Sequence, residues 1–269
     1  MIRSAPDWQR QRRAAAKFAV VGSLLGVLLA VLAFAPAAWL ASAVAGATDQ
    51  RLLLADARGS IWSGSALAVL TGGPGSRDAS TLPGRLSWDI GLDGLALSLR
   101  ARQACCINGE LKLRLEPGFG RMKLTLPASQ GALGQWPAAW LAGLGTPFNT
   151  LNLGGWLSLS SGGLVVESAQ GRVALSGAAS LAMNDISSTV STLDTLGSYT
   201  LALTGGQAAQ LVLSTLNGPL RLTGSGQWAS TGLRFRGEAS AEPGSEAALN
   251  NLLNIIGRRQ GTLAVLSIG

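Results

Sequence analysis

The sequence predicts a mainly β protein, in which one N-terminal transmembrane helix precedes a large antiparallel β-sheet domain, rolled or layered, with one or two short helices. Three observations lead to this fold class. Residues 18-44 contain no charged side chain. The chain that follows alternates short apolar runs with glycine-containing breaks, which is typical of strands joined by tight turns. Only two later segments carry a convincing helical pattern.

The first predicted element is a membrane anchor. The uncharged run 18-44 exceeds the length of about 20 apolar residues that a helix needs to cross a bilayer, and Trp39 lies where an aromatic side chain would meet the interface. Cationic flanks stay in the cytoplasm, so the basic tail sets the orientation through Arg10, Arg12, Arg13 and Lys17. We expect a single-pass protein of the bacterial inner membrane, with a cytoplasmic tail 1-17, an anchor 18-44 and a periplasmic domain 45-269.

A cleaved signal peptide is the alternative for this segment. The small residues at 43–45, Ala-Val-Ala, resemble a cleavage site. However, the apolar core of a signal peptide spans only about 7 to 15 residues, which is shorter than the run observed here. An uncleaved anchor is therefore the preferred interpretation.

Beyond the anchor, the clearest strands are 110–116 and 121–126, where leucines alternate with charged residues. The apolar positions before and after Asn108–Glu110 are all odd-numbered, which predicts a three-residue loop that pairs Ile107 with Leu111. So many strands should form one antiparallel sheet that rolls, splits into layers or closes. The other candidate strands are 51–57, 60–70, 84–91, 95–103, 155–160, 164–168, 171–182, 198–203, 210–216, 219–228, 233–240 and 262–268.

Two helices are expected to interrupt the strands. The segment 136–144 has Pro137 at a position suited to a first helical turn. The segment 245–256 has Ser245 as a candidate cap, an apolar stripe at helical spacing, and Gly257 as its end. The apolar stripe of the second helix should cover part of the sheet.

The composition argues against catalysis and against nucleic-acid binding. The chain has no histidine, which excludes Ser-His-Asp and Cys-His catalysis and a His-ligated zinc site. The carboxylates form no paired motif, and most of the net charge of +7 lies in the basic tail. We therefore expect no enzyme activity, no catalytic residue, no cofactor, no metal, no nucleic acid and no small-molecule substrate.

The only two cysteines, Cys105 and Cys106, are adjacent in the part of the chain placed outside the cytoplasm, where disulfides persist. Neighbouring Cα atoms lie about 3.8 Å apart, below the usual disulfide range of about 4.4 to 6.8 Å. Side chains of neighbouring residues in a regular strand also point to opposite faces. Two outcomes stay open: a strained vicinal disulfide, or two thiols of which one is buried.

Several motifs occur in an order that resembles type II secretion system protein N. After the basic tail and the apolar run comes Gly59-x-x-Trp62-x-Gly64, within "LLLADARGSIWSGSALAVL", followed by "PGRLSWDI". "LNGPLRLTGSGQW" and the C-terminal "LRFRGEASAEPGSEAALNNLLNIIGRRQGTLAVLSIG" complete the series. Each motif alone is weak, and their order is the specific signal.

The resemblance implies an accessory component of the type II protein secretion system, anchored in the inner membrane with a periplasmic β-domain. Such a protein would aid assembly or stability of the apparatus through contacts with other inner-membrane components, with the outer-membrane secretin as a further candidate partner. No catalytic residue transfers with the resemblance. An envelope lipid-handling protein with an apolar β-groove is the alternative, because one face of the predicted sheet is rich in leucine.

Three tryptophans have two interpretations each. Trp62 lies beside two glycines and either fills space between close backbones or contacts a partner. Trp136 and Trp140 lie between strands, where loops often carry function and where tryptophan is enriched at interaction hot spots. We name both as candidate partner contacts, with docking onto the protein's own sheet as the alternative.

Overall fold

The computed structural model describes residues 8–229 and 232–268. The helical elements are α1 (Trp8–Ala33), α2 (Ala37–Ala47), a 3-10 helix (Ala138–Leu144), α3 (Phe148–Leu151) and α4 (Glu246–Ile256). The strands are β1 (Leu52–Gly59), β2 (Ser63–Thr71), β3 (Ala79–Thr81), β4 (Leu86–Asp93), β5 (Ala96–Arg102), β6 (Leu111–Gly118), β7 (Arg121–Leu126), β8 (Gly134–Pro137), β9 (Leu153–Ser161), β10 (Leu164–Ala169), β11 (Arg172–Ser188), β12 (Gly197–Gly206), β13 (Ala209–Asn217), β14 (Leu220–Ala229), β15 (Gly232–Ala241), β16 (Arg258–Gln260) and β17 (Leu263–Ile268).

The strands form one large antiparallel sheet with a few short helices, so the mainly β fold class is confirmed. The hydrogen-bonded order is β1-β2-β4-β5-β6-β7-β10-β11-β12-β13-β14-β15-β17-β16. Strand β3 pairs with β2, and β8 pairs with β9, which lies along β11. Neighbours in sequence are mostly neighbours in space, as expected for strands joined by short glycine turns.

One long hairpin joins the first half of this sheet, which contains β1 to β7, to the second half, which contains β12 to β17. β10 and then β9 pair with successive stretches of the 17-residue strand β11. On the outer sides of this hairpin, β10 pairs with β7, and β11 pairs with β12. The hairpin kinks where Gly177 has a φ of +81° and lies so close to the Gly163 carbonyl that a side chain would collide with it. Glycine is therefore required at position 177.

The predicted apolar run 18-44 is divided between two helices. α1 ends at Ala33, and α2 begins after Pro36, which has an extended conformation (φ −69°, ψ 149°). A proline disfavours helical geometry in the residue before it and has no N–H to continue the hydrogen-bond ladder, which explains the break. Within the described residues, no helix combines the length and the apolar character that crossing a bilayer requires.

The apolar residues of α2 contact the first half of the sheet. Ala37 is buried there with Leu54, Ala66 and Trp88, and Leu40 packs against the same cluster. The last residues of the predicted anchor thus form part of a small core with β1, β2 and β4.

The larger core lies under α4. This helix spans Glu246–Ile256 as predicted, and Leu249, Leu252 and Leu253 are buried on one face of it. They pack against Tyr199 and other residues of the second half of the sheet. The apolar stripe read from the sequence therefore covers the sheet in the way that the spacing indicated.

Two local predictions were wrong in detail. Residues 134–137 form strand β8 and 138–144 form a 3-10 helix, so Pro137 precedes the helix instead of occupying its first turn. The loop between β5 and β6 is longer than Asn108–Glu110: Ala101 pairs with Leu111, and Ile107 instead forms a bridge with Gly134. The odd-to-odd register was right, but the residues between the two strands leave the sheet in a turn.

Candidate functional site

The first candidate site is the junction between the end of α1 and the β1–β2 turn. The indole Nε1 of Trp62 donates a hydrogen bond of 2.8 Å to the carbonyl oxygen of Leu32, in the last turn of the helix, where carbonyls lack an intrahelical partner. The amide of Ile61 donates to the carbonyl of Ala35 at 2.9 Å. The turn thus caps α1 and fixes it to the sheet.

The glycines of the Gly59-x-x-Trp62-x-Gly64 motif allow the backbones in this turn to approach closely. Gly59 has a φ of +88°, and it pairs with Gly64 across the hairpin. A Cβ at position 64 would lie 2.6 Å from Cζ2 of Trp88 and 2.6 Å from the carbonyl oxygen of Arg58. The motif therefore combines two space-saving glycines with a tryptophan that binds the helix end.

Beside this turn, an arginine cluster holds β1, β2 and β4 together. Arg85 donates to the Asp56 carboxylate at 2.8 Å, to the Asp56 carbonyl at 2.6 Å and to the Ser65 carbonyl at 3.0 Å. Hydrogen bonds from Arg58 and Arg85 lower the pKa of Asp56 below its ordinary value. The sequence reasoning missed this cluster, because no periodicity relates Arg85 to a residue 29 positions away.

The predicted orientation residues Arg10, Arg12, Arg13 and Lys17 belong to α1. Their side chains lie outside the described part of the chain, as do residues 1–7 entirely. Further along the same helix, the described side chains from Val20 to Leu32 include large apolar groups that are exposed, among them Leu24 at 66%. The cytoplasmic position of the tail stays a prediction.

The two cysteines lie in the turn that follows β5. In the structure their sulfur atoms are bonded to each other, and Cys106 is buried while Cys105 is exposed. The amide of Cys106 donates to the Gln103 carbonyl, and its carbonyl accepts from the amide of Gln135 at 2.8 Å. This pairing connects the turn to β8.

The candidate contact residues Trp136 and Trp140 come together next to this turn. Both are partly buried and pack against a cluster that contains Leu82 and Cys106. The indole of Trp140 donates to the carbonyl of Ser80 at 3.0 Å. These contacts favour docking onto the protein's own sheet, and a partner contact through the remaining exposed surface is not tested by them.

A leucine-rich face crosses the sheet from β5 to β11 on the side that α2 covers. α2 packs near its beginning at Leu99, whereas the strands beyond carry leucines and valines that are half-buried or exposed in the described structure. Their strand pairing places them on the same face: Leu97, Leu99, Leu113, Leu115, Leu124, Val166 and Leu175. This face is the leucine-rich surface that the sequence predicted.

A separate cavity of about 580 Å³ lies next to α4. Leucines from α3, β13 and α4 line it, represented by Leu151, Leu213 and Leu252, and Phe235 also contributes. The exposed Arg258 borders the cavity. A largely apolar cavity with a charged group at its border suits a ligand with an apolar chain and a negative end.

Two carboxylates of the first half of the sheet, besides Asp56, have neighbours that favour their ionised form. The pKa of Asp89 is lowered mainly by a hydrogen bond from Ser63 and also by Arg102, and the pKa of Glu116 is lowered mainly by Arg114. Such groups are poorly suited to exchange protons near neutral pH. Among the described residues, no group of three or more His, Cys, Asp or Glu is placed to hold a metal ion.

Sequence reasoning also missed three apolar side chains at the tips of the hairpins. Leu92 is 79% exposed, Leu95 is 96% exposed, and Phe119 is fully exposed. A signal was present in the sequence, because apolar residues adjoin the turn glycines Gly94 and Gly120, where polar residues are usual.

Comparison with protein families shows that residues 50–265 match the family described as Type II secretion system (T2SS), protein N. This range covers nearly the whole sheet. Neither a curated protein nor a solved structure matches the chain.

Proposed function

Because the chain belongs to the type II secretion system protein N family, we propose that it is an inner-membrane-anchored, periplasmic accessory component of that apparatus. It aids assembly or stability of the secretion machinery through contacts with other components, with inner-membrane proteins as the first partners and the outer-membrane secretin as a further candidate. The observation that carries this proposal is the family match over residues 50–265, which cover nearly the whole sheet.

Anchoring is supported by the uncharged run 18-44 behind a basic tail. It is also supported by the exposed apolar side chains of α1, which find no protein surface to cover them between Val20 and Leu32 in the described structure. The capping of α1 by Trp62 gives such an anchor a fixed connection to the periplasmic domain. A reporter enzyme fused after Gly269 should be active only in the periplasm, and recovery of a mature protein beginning near Gly46 would contradict an uncleaved anchor.

The mode of action that we propose is binding without catalysis. The family is one of secretion-system components, and three of the exposed carboxylates are engaged by arginines or by a serine. Deleting the gene should reduce secretion of folded exoproteins while their synthesis and their export across the inner membrane continue. Single Asp→Asn and Glu→Gln replacements should leave secretion unchanged. One such replacement that abolishes secretion while folding and partner binding persist would overturn the proposal.

Trp136 and Trp140 remain the candidate partner contacts, and their two interpretations predict different results. If they serve the core, Trp140→Lys should lower the melting temperature, because it removes the Ser80 hydrogen bond and brings a charge to a partly buried site. If they form a contact, secretion and crosslinking to partners should fall while the melting temperature stays unchanged. Trp156, which is 52% exposed on β9, provides the matched control position.

Lipid handling is the second candidate function, and the apolar cavity beside α4 is the observation that favours it. Purified full-length protein should then carry a bound acyl chain that mass spectrometry detects. Filling the cavity with Leu213→Trp should displace this chain, whereas the same substitution at the exposed Val212 should not. If the wild type and the Val212→Trp variant are both isolated free of lipid, this second function is contradicted.

A further inference from the structure

The antiparallel pairing brings several hairpin tips to one edge of the sheet. Gly59 pairs with Gly64, Ser63 with Asp89, and the β4–β5 hairpin closes at the same end, between Asp93 and Ala96. Because consecutive antiparallel strands reverse direction, the β6–β7 and β10–β11 turns close at this end as well. The amide of Gln170 in the β10–β11 turn donates to the Gly120 carbonyl, which links the last two tips directly.

The same edge receives the end of α1. The hydrogen bond from Trp62 to the carbonyl of Leu32 lies at the first tip of this row. An apolar helix that leaves the protein at this edge would enter the bilayer directly beside the tips. The edge should therefore be the part of the sheet closest to the membrane.

The tips carry side chains that suit a membrane interface. Leu92, Leu95 and Phe119 are the most exposed apolar residues of the described sheet. The neighbouring Met122 and Val173 are exposed by 50% and 52%. Apolar side chains that expose most of their surface at one edge indicate a surface that is covered in the working molecule.

The charges at this edge complement an anionic lipid surface. Arg121 and Arg172 are exposed beside the tips and form no ion pair among the described residues. Asp93, the acidic residue at the β4–β5 tip, is neutralised by Arg114. Apolar groups that insert at the headgroup level, flanked by cations, are the combination by which interfacial segments bind membranes.

We propose that the tip row, defined by Leu92, Leu95 and Phe119 with Arg121 and Arg172, inserts into the interface of the membrane from which α1 emerges. The partner of this surface is the lipid bilayer. The tip row acts as a second membrane attachment, beside α1, and so orients the sheet with this edge towards the membrane. This inference goes beyond the proposed function and rests on the part of it that anchors α1 in the inner membrane.

Photocrosslinking of the full chain in vesicles of phosphatidylethanolamine and phosphatidylglycerol tests the inference. The residue p-benzoylphenylalanine is placed at position 119 or 95 and, as an anchor reference, at Leu28. Trp156 is the matched control. It is an exposed aromatic residue on the long hairpin of β9, β10 and β11, and it lies roughly 40 Å from the β10–β11 tip at about 3.3 Å per residue. Adducts are identified by mass spectrometry as lipid or protein.

We expect lipid adducts at 119, 95 and 28, and none above background at 156. Adducts at 119 that fall when Arg121→Gln and Arg172→Gln are combined, or when phosphatidylglycerol is omitted, support the role of the cations. Lipid adducts at 28 without any at 119 and 95 would overturn the inference while anchoring stands. Lipid adducts at 119 without any at 28 would support the tip contact and contradict the anchor. Protein adducts alone at 119 would overturn the inference in favour of a protein partner.

Discussion

The packing of α4 allows a quantitative test, because two of its buried leucines differ in what surrounds them. Leu249 is fully buried, whereas Leu252 is equally inaccessible but faces the cavity of about 580 Å³ on one side. Removing a buried leucine side chain costs about 2–5 kcal/mol, and the cost grows with the cavity that remains. Leu249→Ala loses contacts in every direction, so its loss should lie in the upper half of this range. Leu252→Ala should lie in the lower half, because part of its surface already lacks packing partners.

The assay is thermal unfolding of the full chain in detergent, followed by circular dichroism. For a domain of this size, 1 kcal/mol corresponds to roughly 2–4 °C, so Leu249→Ala should lower the melting temperature by roughly 7–20 °C and Leu252→Ala by less. Asn251→Ala, on the exposed side of the same helix, is the matched control and should change it little. Equal effects of all three substitutions, or none from the two leucines, would refute the conclusion that α4 closes the core.

Three other outcomes follow from the site geometry. Gly64→Ala should destabilise the protein, because its Cβ would lie 2.6 Å from Trp88 and from a backbone oxygen. Gly91→Ala is the control and should be tolerated, because a Cβ at position 91 meets nothing within 4 Å. Equal melting temperatures of the two variants would contradict the steric argument. The pKa of Asp89 is lower in the folded protein than in the unfolded chain, where it is about 3.9. The ionised carboxylate therefore stabilises the fold above the unfolded pKa, and this contribution is lost as the pH falls through the folded pKa. Asp89→Asn should therefore be less stable than the wild type at pH 7, and the difference should disappear once the pH has fallen below the folded pKa of Asp89. A difference that persists in acid would point to lost packing. Protein purified without reductant should resist alkylation at Cys105 and Cys106 until it is reduced, and labelling of both thiols beforehand would show that the bond does not form.

The sequence allowed the strands and α4 to be located because their signals are local. Alternating leucines mark one face of β6, and i, i+3, i+4 spacing marks Leu249, Leu252 and Leu253. Features that depend on distant pairing were missed. Nothing near Ile107 indicates that it pairs with Gly134, and nothing near Trp62 indicates that its indole binds Leu32. The break at Pro36 was also missed, because the apolar composition on both sides favours one continuous helix.

The candidate surfaces, too, were predicted only where their signal is local in the sequence. The leucine-rich face was predicted from periodicity, yet its coverage by α2 at one end follows from where the chain crosses it. Leu95 was assigned to the predicted strand 95–103 and Phe119 to the link between two predicted strands, so neither was named as part of a candidate surface.

The long hairpin of β9, β10 and β11 has a consequence for the order in which the protein assembles. A chain emerges from its N-terminus first, so β1 to β7 can pair as soon as they appear. β7 then offers an unpaired edge until β10, residues 164–169, has followed and covered it. During that interval the half-built sheet presents a row of open backbone donors and acceptors beside exposed leucines, which is the arrangement most prone to join a second chain. The nascent protein is therefore most vulnerable to aggregation after residue 126 has emerged and before residue 164 has done so.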